Sequence, residues 1–310
     1  MVGLQTIYPN IVFITAPLFG FARESSILDE YMLRKLGASS SYDTASYFSI
    51  AALVFFYFQL SGVLPLADYG FFMLAVLVAS GITTATGPIA TALLPRLMRL
   101  HAEGNHTEIV RLYHRFAQLV SVVAVSLMVT LACSAEALLF AWTGDSELTR
   151  VAAPILRLYA IGNGLLAISA FPFYLQYARG NLRYHLMGNI GLIVLLIPSI
   201  VFAALRAGGV GVGWVWVGMN VLTLFGWVAF VHGRVEPGLH TEWIRRNVLT
   251  IMVPTALVGV AIAVVHHAEL VNRWAAMIDV ILISAACIVT ACLASIDIRR
   301  HLLGSRLQRP

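Results

Sequence analysis

Arg157 lies in the run "APILRLYAIGNG", with apolar residues on both sides. An ionisable side chain inside a bilayer costs roughly 2.5–3.5 kcal/mol on insertion scales, and by default it marks a pathway or a paired site. A long side chain near a helix end can instead reach the headgroups, and the sequence leaves both readings open for Arg157. Glu136 and Asp279 fall near helix boundaries, which favours an interfacial place over a proton-carrying one. Asn163, Asn189, Asn220, Gln118 and Gln176 are amides within apolar runs. Such amides commonly bond one helix to another for about 0.6 kcal/mol each. Gln176, one helical repeat from a polar turn, is also placed to line a cavity. That turn is the centre of "FPFYLQYARGNLRYHL", which gathers Gln176, Arg179, Asn181, Arg183 and His185. Gly180 and Asn181 can take the positive φ that a short turn needs.

Other chemistries find little support. "GGVGVGW" resembles a dinucleotide loop in its glycine spacing, but it opens an apolar run with no preceding soluble strand, so a turn and close helix packing are expected. His266 and His267 are adjacent without a third ligand nearby, and Cys133, Cys287 and Cys292 have no metal-ligand spacing and read as buried thiols. "NHT" at 105–107 matches a glycosylation sequon in a loop assigned below to the cytoplasm. No nucleophile motif or intramembrane aspartate pair is present, so no catalytic residue, metal or cofactor is expected, and the chain does not read as an enzyme.

The elements that position these residues follow from composition. Of 310 residues, 59% are hydrophobic and 11% charged, against roughly a quarter charged in soluble domains. Runs such as "NIGLIVLLIPSIVFAAL" are apolar at every position, which excludes the alternating strands of an outer-membrane barrel. Spans of about 20 apolar residues are read near 46–65, 70–95, 112–133, 151–177, 184–205, 209–231, 247–266 and 276–297. The expected fold is all-α, a polytopic membrane bundle of about eight spans. Residues 1–45 form an N-terminal interfacial and linker segment, since the run at 7–22 is too short to span and is broken by Pro9 and Pro17. The bundle proper is 46–231, a cytoplasmic loop and an extra helix pair follow at 232–298, and 299–310 is a basic tail. Pro88, Pro172, Pro198 and Pro254 interrupt spans.

Nineteen of the twenty basic residues are arginine, and their distribution fixes an orientation. One alternate set of loops, with the tail, holds Arg96, Arg99, Arg111, Arg115, Arg179, Arg183, Arg234, Arg245, Arg246 and four more after residue 298, thirteen in all. The opposite set holds only Arg150, Arg206 and Arg273. Cytoplasmic loops carry the Lys/Arg excess, so the richer set and the C-terminus are expected in the cytoplasm. The basic excess therefore records topology, and nucleic acid is not an expected partner.

Several motifs in order resemble a known family. "ATALLPRLMRLHAEGNHTEIVRLYHRFAQLV", "LLFAWTGD", "AAPILRLYAIGN", "PFYLQYARGNLR" and "GVGVGWVWVGMN", preceded by "LSGVLPLADYGFFMLA", resemble the second helical bundle of the lipopolysaccharide and O-antigen flippases of the MATE-like superfamily. The resemblance runs from about residue 58 to 250 and extends to the hydropathy of the last two spans. It implies a transporter of undecaprenyl-pyrophosphate-linked oligosaccharide, working in surface polysaccharide biosynthesis in the bacterial inner membrane. It also implies substrate-binding roles for Arg157, Gln176, Tyr174, Asn163, Asn189, Asn220, Arg179 and Arg183. The implied partners are the lipid-linked oligosaccharide, membrane lipids, and either a first helical bundle from outside this sequence or polysaccharide-assembly proteins. A MATE-type small-molecule exporter and a non-transporting membrane partner are the alternatives.

Overall fold

The computed structural model describes residues 65–180, 183–265 and 272–299. The span expected at 46–65, the N-terminal segment and the basic tail lie outside the described residues, apart from Pro65 and Arg299 at their edges. Every regular element among the described residues is helical. In hydrocarbon each backbone N–H and C=O must find its partner within the protein, and an apolar helix does this unaided. The chain is an all-α, multi-pass membrane protein.

Helix α1 (Leu66–Ala102) and helix α2 (His106–Cys133) form the first pair. Both run past the spans read from sequence, so Arg96 and Arg99 lie on the last turns of α1 and Arg111 and Arg115 on the first turns of α2. Only Glu103, Gly104 and Asn105 connect them. Gly104 takes φ 69°, and the Asn105 side chain accepts from the Glu108 N–H at 3.2 Å, an N-cap that employs the asparagine of the sequon. A short α3 (Ala135–Thr143) ends at Gly144 in the left-handed conformation. Asp145 then caps α4 (Ser146–Ser169) by accepting from the N–H groups of Glu147 and Leu148.

The fourth expected span is two helices. Pro172 has no N–H for the carbonyl four residues earlier, so α4 stops at Ser169 and α5 (Phe171–Ala178) restarts with the proline in its first turn.

Helix α6 (Arg183–Leu222) continues through a π-helical turn, Thr223–Trp227, into α7 (Val228–Val235). As one straight rod these residues would measure about 80 Å at 1.5 Å per residue, against a hydrocarbon core of about 30 Å. They double back. Tyr184 meets Phe230 with ring centroids 5.7 Å apart, a Cβ on Gly188 would lie 2.4 Å from the Trp227 indole nitrogen, and one on Gly211 would lie 2.6 Å from the Ala203 carbonyl oxygen. The fold-back point is Ala207–Gly208, where Gly208 takes φ 56°, ψ −148°, a region essentially reserved for glycine. The "GGVGVGW" glycines thus serve a turn and close approach. Six helical stretches among the described residues are long and apolar enough to cross a bilayer. The sequence predicts seven spans over the same residues, and the difference is this hairpin, which holds two passes in one unbroken assignment.

Helix α8 (Leu239–Trp243) leads through a π turn, Ile244–Leu249, into α9 (Thr250–Val265), and α10 (Arg273–Ala294) completes the bundle. The last two pack on α2: Ile251, Ile283, Cys287 and Ala291 share one buried cluster with Ala117, Val120, Val125 and Val129. A second cluster joins Phe72, Ala152, Leu156, Tyr159, Ile200 and Val212, from α1, α4 and α6.

The alternate loops gather at opposite ends. At one end Arg179 pairs with Glu236, Arg246 approaches Asp297 at 3.8 Å, and Asn247 meets His114 at 2.8 Å. At the other, Arg273 donates to the carbonyls of Ala141 and Trp142 at the end of α3, and Arg157, about three turns into α4 from that end, pairs with Glu136 at 2.8 Å. Single cysteines introduced as Glu103→Cys and Arg234→Cys, all exposed and in a background lacking the native three, are expected to react with an impermeant maleimide from one side of the membrane. Ser146→Cys and Trp274→Cys are expected to react from the other, as read by mass shift in right-side-out and inverted vesicles.

Candidate functional site along the seam between α4, α5 and α6

Helix α4, with its continuation α5, is the most enclosed of the long apolar stretches, and the α6 hairpin is the least enclosed. Between them runs a seam of aromatic and amide groups. Midway along it the Tyr159 ring stacks on Trp216 at 5.9 Å and meets Phe72 edge-on at 5.5 Å. The Trp216 indole N–H donates to Asn163 Oδ1 at 3.0 Å, and Asn220 Nδ2 donates to the Trp216 carbonyl at 2.8 Å. Asn163 and Asn220 are both buried; the Trp216 indole on the returning limb of α6 serves the first, and the backbone carbonyl of the same residue, one turn before Asn220, serves the second. Gly162 makes room for it: a Cβ there would fall 2.3 Å from Trp216 Cδ1.

Towards the arginine-rich end the seam closes on the turn that holds most of the polarity in "FPFYLQYARGNLRYHL". Buried Tyr174 lies edge-on to Phe171 and Phe173, and Phe173 covers the His185 ring at 4.4 Å. Gln176, 2% exposed, donates to the Pro172 carbonyl at 3.2 Å and accepts from the His185 backbone N–H at 2.9 Å. The first N–H groups of a helix have no partner within it, so Gln176 satisfies one for α6 while fastening α5 to it. Asn189 Nδ2 approaches His185 Nε2 at 3.1 Å. Arg179 donates to the Val235 carbonyl and the Glu236 carboxylate, linking this turn to the end of α7. Arg183 is exposed beside it.

Five of the eight expected substrate-binding residues, Asn163, Tyr174, Gln176, Asn189 and Asn220, therefore share one seam at two levels, with Arg179 and Arg183 at its end. Arg157 does not join them. It is six residues from Asn163 along α4, which at 100° per residue turns it about 120° away, and it faces α3, where it pairs with Glu136.

Sequence reasoning missed Trp216 and Glu236, along with a second polar cluster. Tyr113 Oη lies 2.8 Å from His232 Nε2, whose Nδ1 lies 3.2 Å from His240 Nδ1. Gln118 Oε1 accepts from Ser295 Oγ at 2.9 Å and from the Asp297 N–H at 3.1 Å, which makes it the interhelical bond expected of an amide. Apart from His232 and His240, these partners are 119 to 179 residues apart, and at helix ends such polarity reads as a solvated loop. The available signal was Tyr113 and His114 side by side on a helix entering the bilayer. No family model matches the chain, and no curated protein matches it significantly in sequence.

Gly162→Ala forces the Trp216 indole to move, and we expect a loss of about 1–3 kcal/mol, the range for overpacked cores. Gly191→Ala on exposed α6, where a Cβ would meet nothing within 4 Å, is expected to stabilise by up to about 1 kcal/mol through helix propensity. Thermal unfolding of the two variants in detergent compares them directly.

Proposed function

We propose that the chain is the substrate-guiding bundle of a transporter that moves an undecaprenyl-pyrophosphate-linked oligosaccharide across the bacterial inner membrane. The observation that supports this most is the seam, because it sets three buried amides, a half-buried fourth and their aromatic neighbours against a hairpin whose outer faces are apolar. Lipid tails would travel along the apolar exterior while the headgroup follows the polar seam. Arg179 and Arg183 at the cytoplasmic mouth attract the pyrophosphate by charge-assisted bonds. Asn189 and then Asn163 and Asn220 exchange their internal bonds for sugar hydroxyls. Rocking against a second bundle, supplied by a partner or by further chain, opens the seam to each side in turn.

One observation favours a second reading. At mid-membrane the seam is aromatic, with Phe72, Tyr159 and Trp216 in contact and no arginine among them, which suits an exporter of flat small molecules. The two readings separate in membrane vesicles from the native cells, where the second bundle is present. With a fluorescent lipid-linked oligosaccharide and an impermeant quencher, the flippase reading expects faster loss of protected signal than in vesicles from cells lacking the chain. Asn163→Ala with Asn220→Ala is expected to slow it about tenfold, equivalent to about 1.4 kcal/mol. Transport of cationic dyes without lipid flipping would favour the exporter, and a folded protein that moves neither would be a non-transporting partner.

A further inference from the structure

At the arginine-rich end, away from the seam, a cleft of about 380 Å³ opens between the start of α2, the α8 segment with its π turn, and the chain just after α10. Its volume lies in the range of pockets that take small ligands, about 300–1,000 Å³. The α2 wall is a column of donors. Thr107, Arg111 and Arg115 line the cleft at four-residue spacing, which puts them on one helix face. Arg111 is held by Glu108 at 2.5 Å, while Arg115 is exposed with no ion-pair partner among the described residues.

Behind that column sits His114, also lining the cleft and 5% exposed. Its Nδ1 lies 2.8 Å from the Asn247 side-chain nitrogen, and in the tautomer where that amide donates, Nε2 carries the proton. That N–H is buried with no partner among the described residues. A buried donor left unmatched carries a desolvation cost that a ligand oxygen would remove. Across the cleft Arg246 stands between Glu242 at 3.4 Å and Asp297 at 3.8 Å, with its Nε also lacking a partner. The two acids are thus engaged by Arg246, and the α2 wall remains free to receive an anion.

We propose that this cleft binds a phosphate group, and that the phosphate belongs to a membrane phospholipid headgroup. Four residues beyond Arg115 the same face of α2 presents Leu119, which is 41% exposed. The column therefore passes from hydroxyl and guanidinium donors to bare hydrocarbon along the direction of the membrane normal, the order of polarity of a phospholipid. Basic pockets between helices at the cytoplasmic surface are suited to such headgroups.

The test uses the full chain in detergent, stripped of lipid and then titrated in native mass spectrometry with phosphatidylglycerol, phosphatidylethanolamine or diacylglycerol. Both phospholipids are expected to bind at least about tenfold tighter than diacylglycerol. Arg111→Ala with Arg115→Ala, at two exposed positions, removes that preference, the double lysine variant retains part of it, and Arg150→Ala at the opposite end leaves it unchanged. Inorganic phosphate is titrated separately by thermal shift. If it protects wild type at millimolar concentration and displaces phospholipid, the phosphate site stands but its source is soluble. Equal affinity for diacylglycerol and phospholipid without protection by phosphate would overturn the proposal, as would phospholipid binding that survives the double alanine variant.

Discussion

Close approach to α4 is the interaction on which the remaining packing depends. Lipid tails are as apolar as leucine, so helices in a bilayer gain little from hiding hydrocarbon and associate through van der Waals fit instead. Helix α4 supplies that fit with small residues on several sides. Ala152 and Ala153 are buried against the α1 and α6 cluster, Gly162 admits Trp216, and Gly164 admits Met128 of α2. A helix lined with larger side chains would hold these neighbours at a distance and leave Asn163 without its indole partner. The same closeness makes the seam polar at low cost, because each amide inside it is already paired.

Enclosure of α4 leaves the α6 hairpin outside. Its limbs are held to each other by glycines, to α4 by Trp216 and to α5 by Gln176, and most of its large side chains, among them Ile190, Val194, Phe202, Trp214 and Phe225, face outwards. The hairpin is thus packed on the core along one face, through Ile200, Ala204 and Val212 as well as Trp216, and bounded elsewhere by lipid or by another apolar surface. The arginine-rich end, by contrast, is cross-linked: Gln118, His114, Arg179 and Arg246 each bond to a residue distant in sequence, which fixes α2, α5 and α10 relative to the α7–α8 connection.

Sequence patterning made the spans and their alternation legible because apolar run length and arginine placement are local properties that the bilayer imposes directly. The fold-back at Ala207–Gly208 was visible as a glycine-rich gap between two apolar runs. The helix break before Pro172 was not, since a proline near a span's end is equally compatible with a kinked continuous helix. Pairing was the larger gap. Arg157 read equally as a cavity cation or an interfacial one, and what decides its neighbour is the return of α3 beside α4, which brings Glu136 to it. Gln176 read as a cavity amide, yet its partner is a backbone N–H across a tight turn, and no spacing rule registers an unpaired helix-start donor. Asn163 and Asn220 were found as amides, but Trp216, whose indole holds Asn163, was hidden among apolar residues of the same run as Asn220.

The central claim is that the seam between α4, α5 and α6 carries an amphiphile's headgroup. The most direct measurement is photo-cross-linking of membranes containing the chain with a diazirine-bearing polyprenyl-pyrophosphate oligosaccharide, the photoreactive group being on the sugar, followed by peptide mapping. Cross-links concentrated at Tyr159–Asn163, Tyr174–Asn189 and Trp216–Asn220, and competed by unlabelled lipid-linked sugar, are the predicted result. Cross-links confined to the outer faces of α9 and α10, or unaffected by competitor, would contradict it.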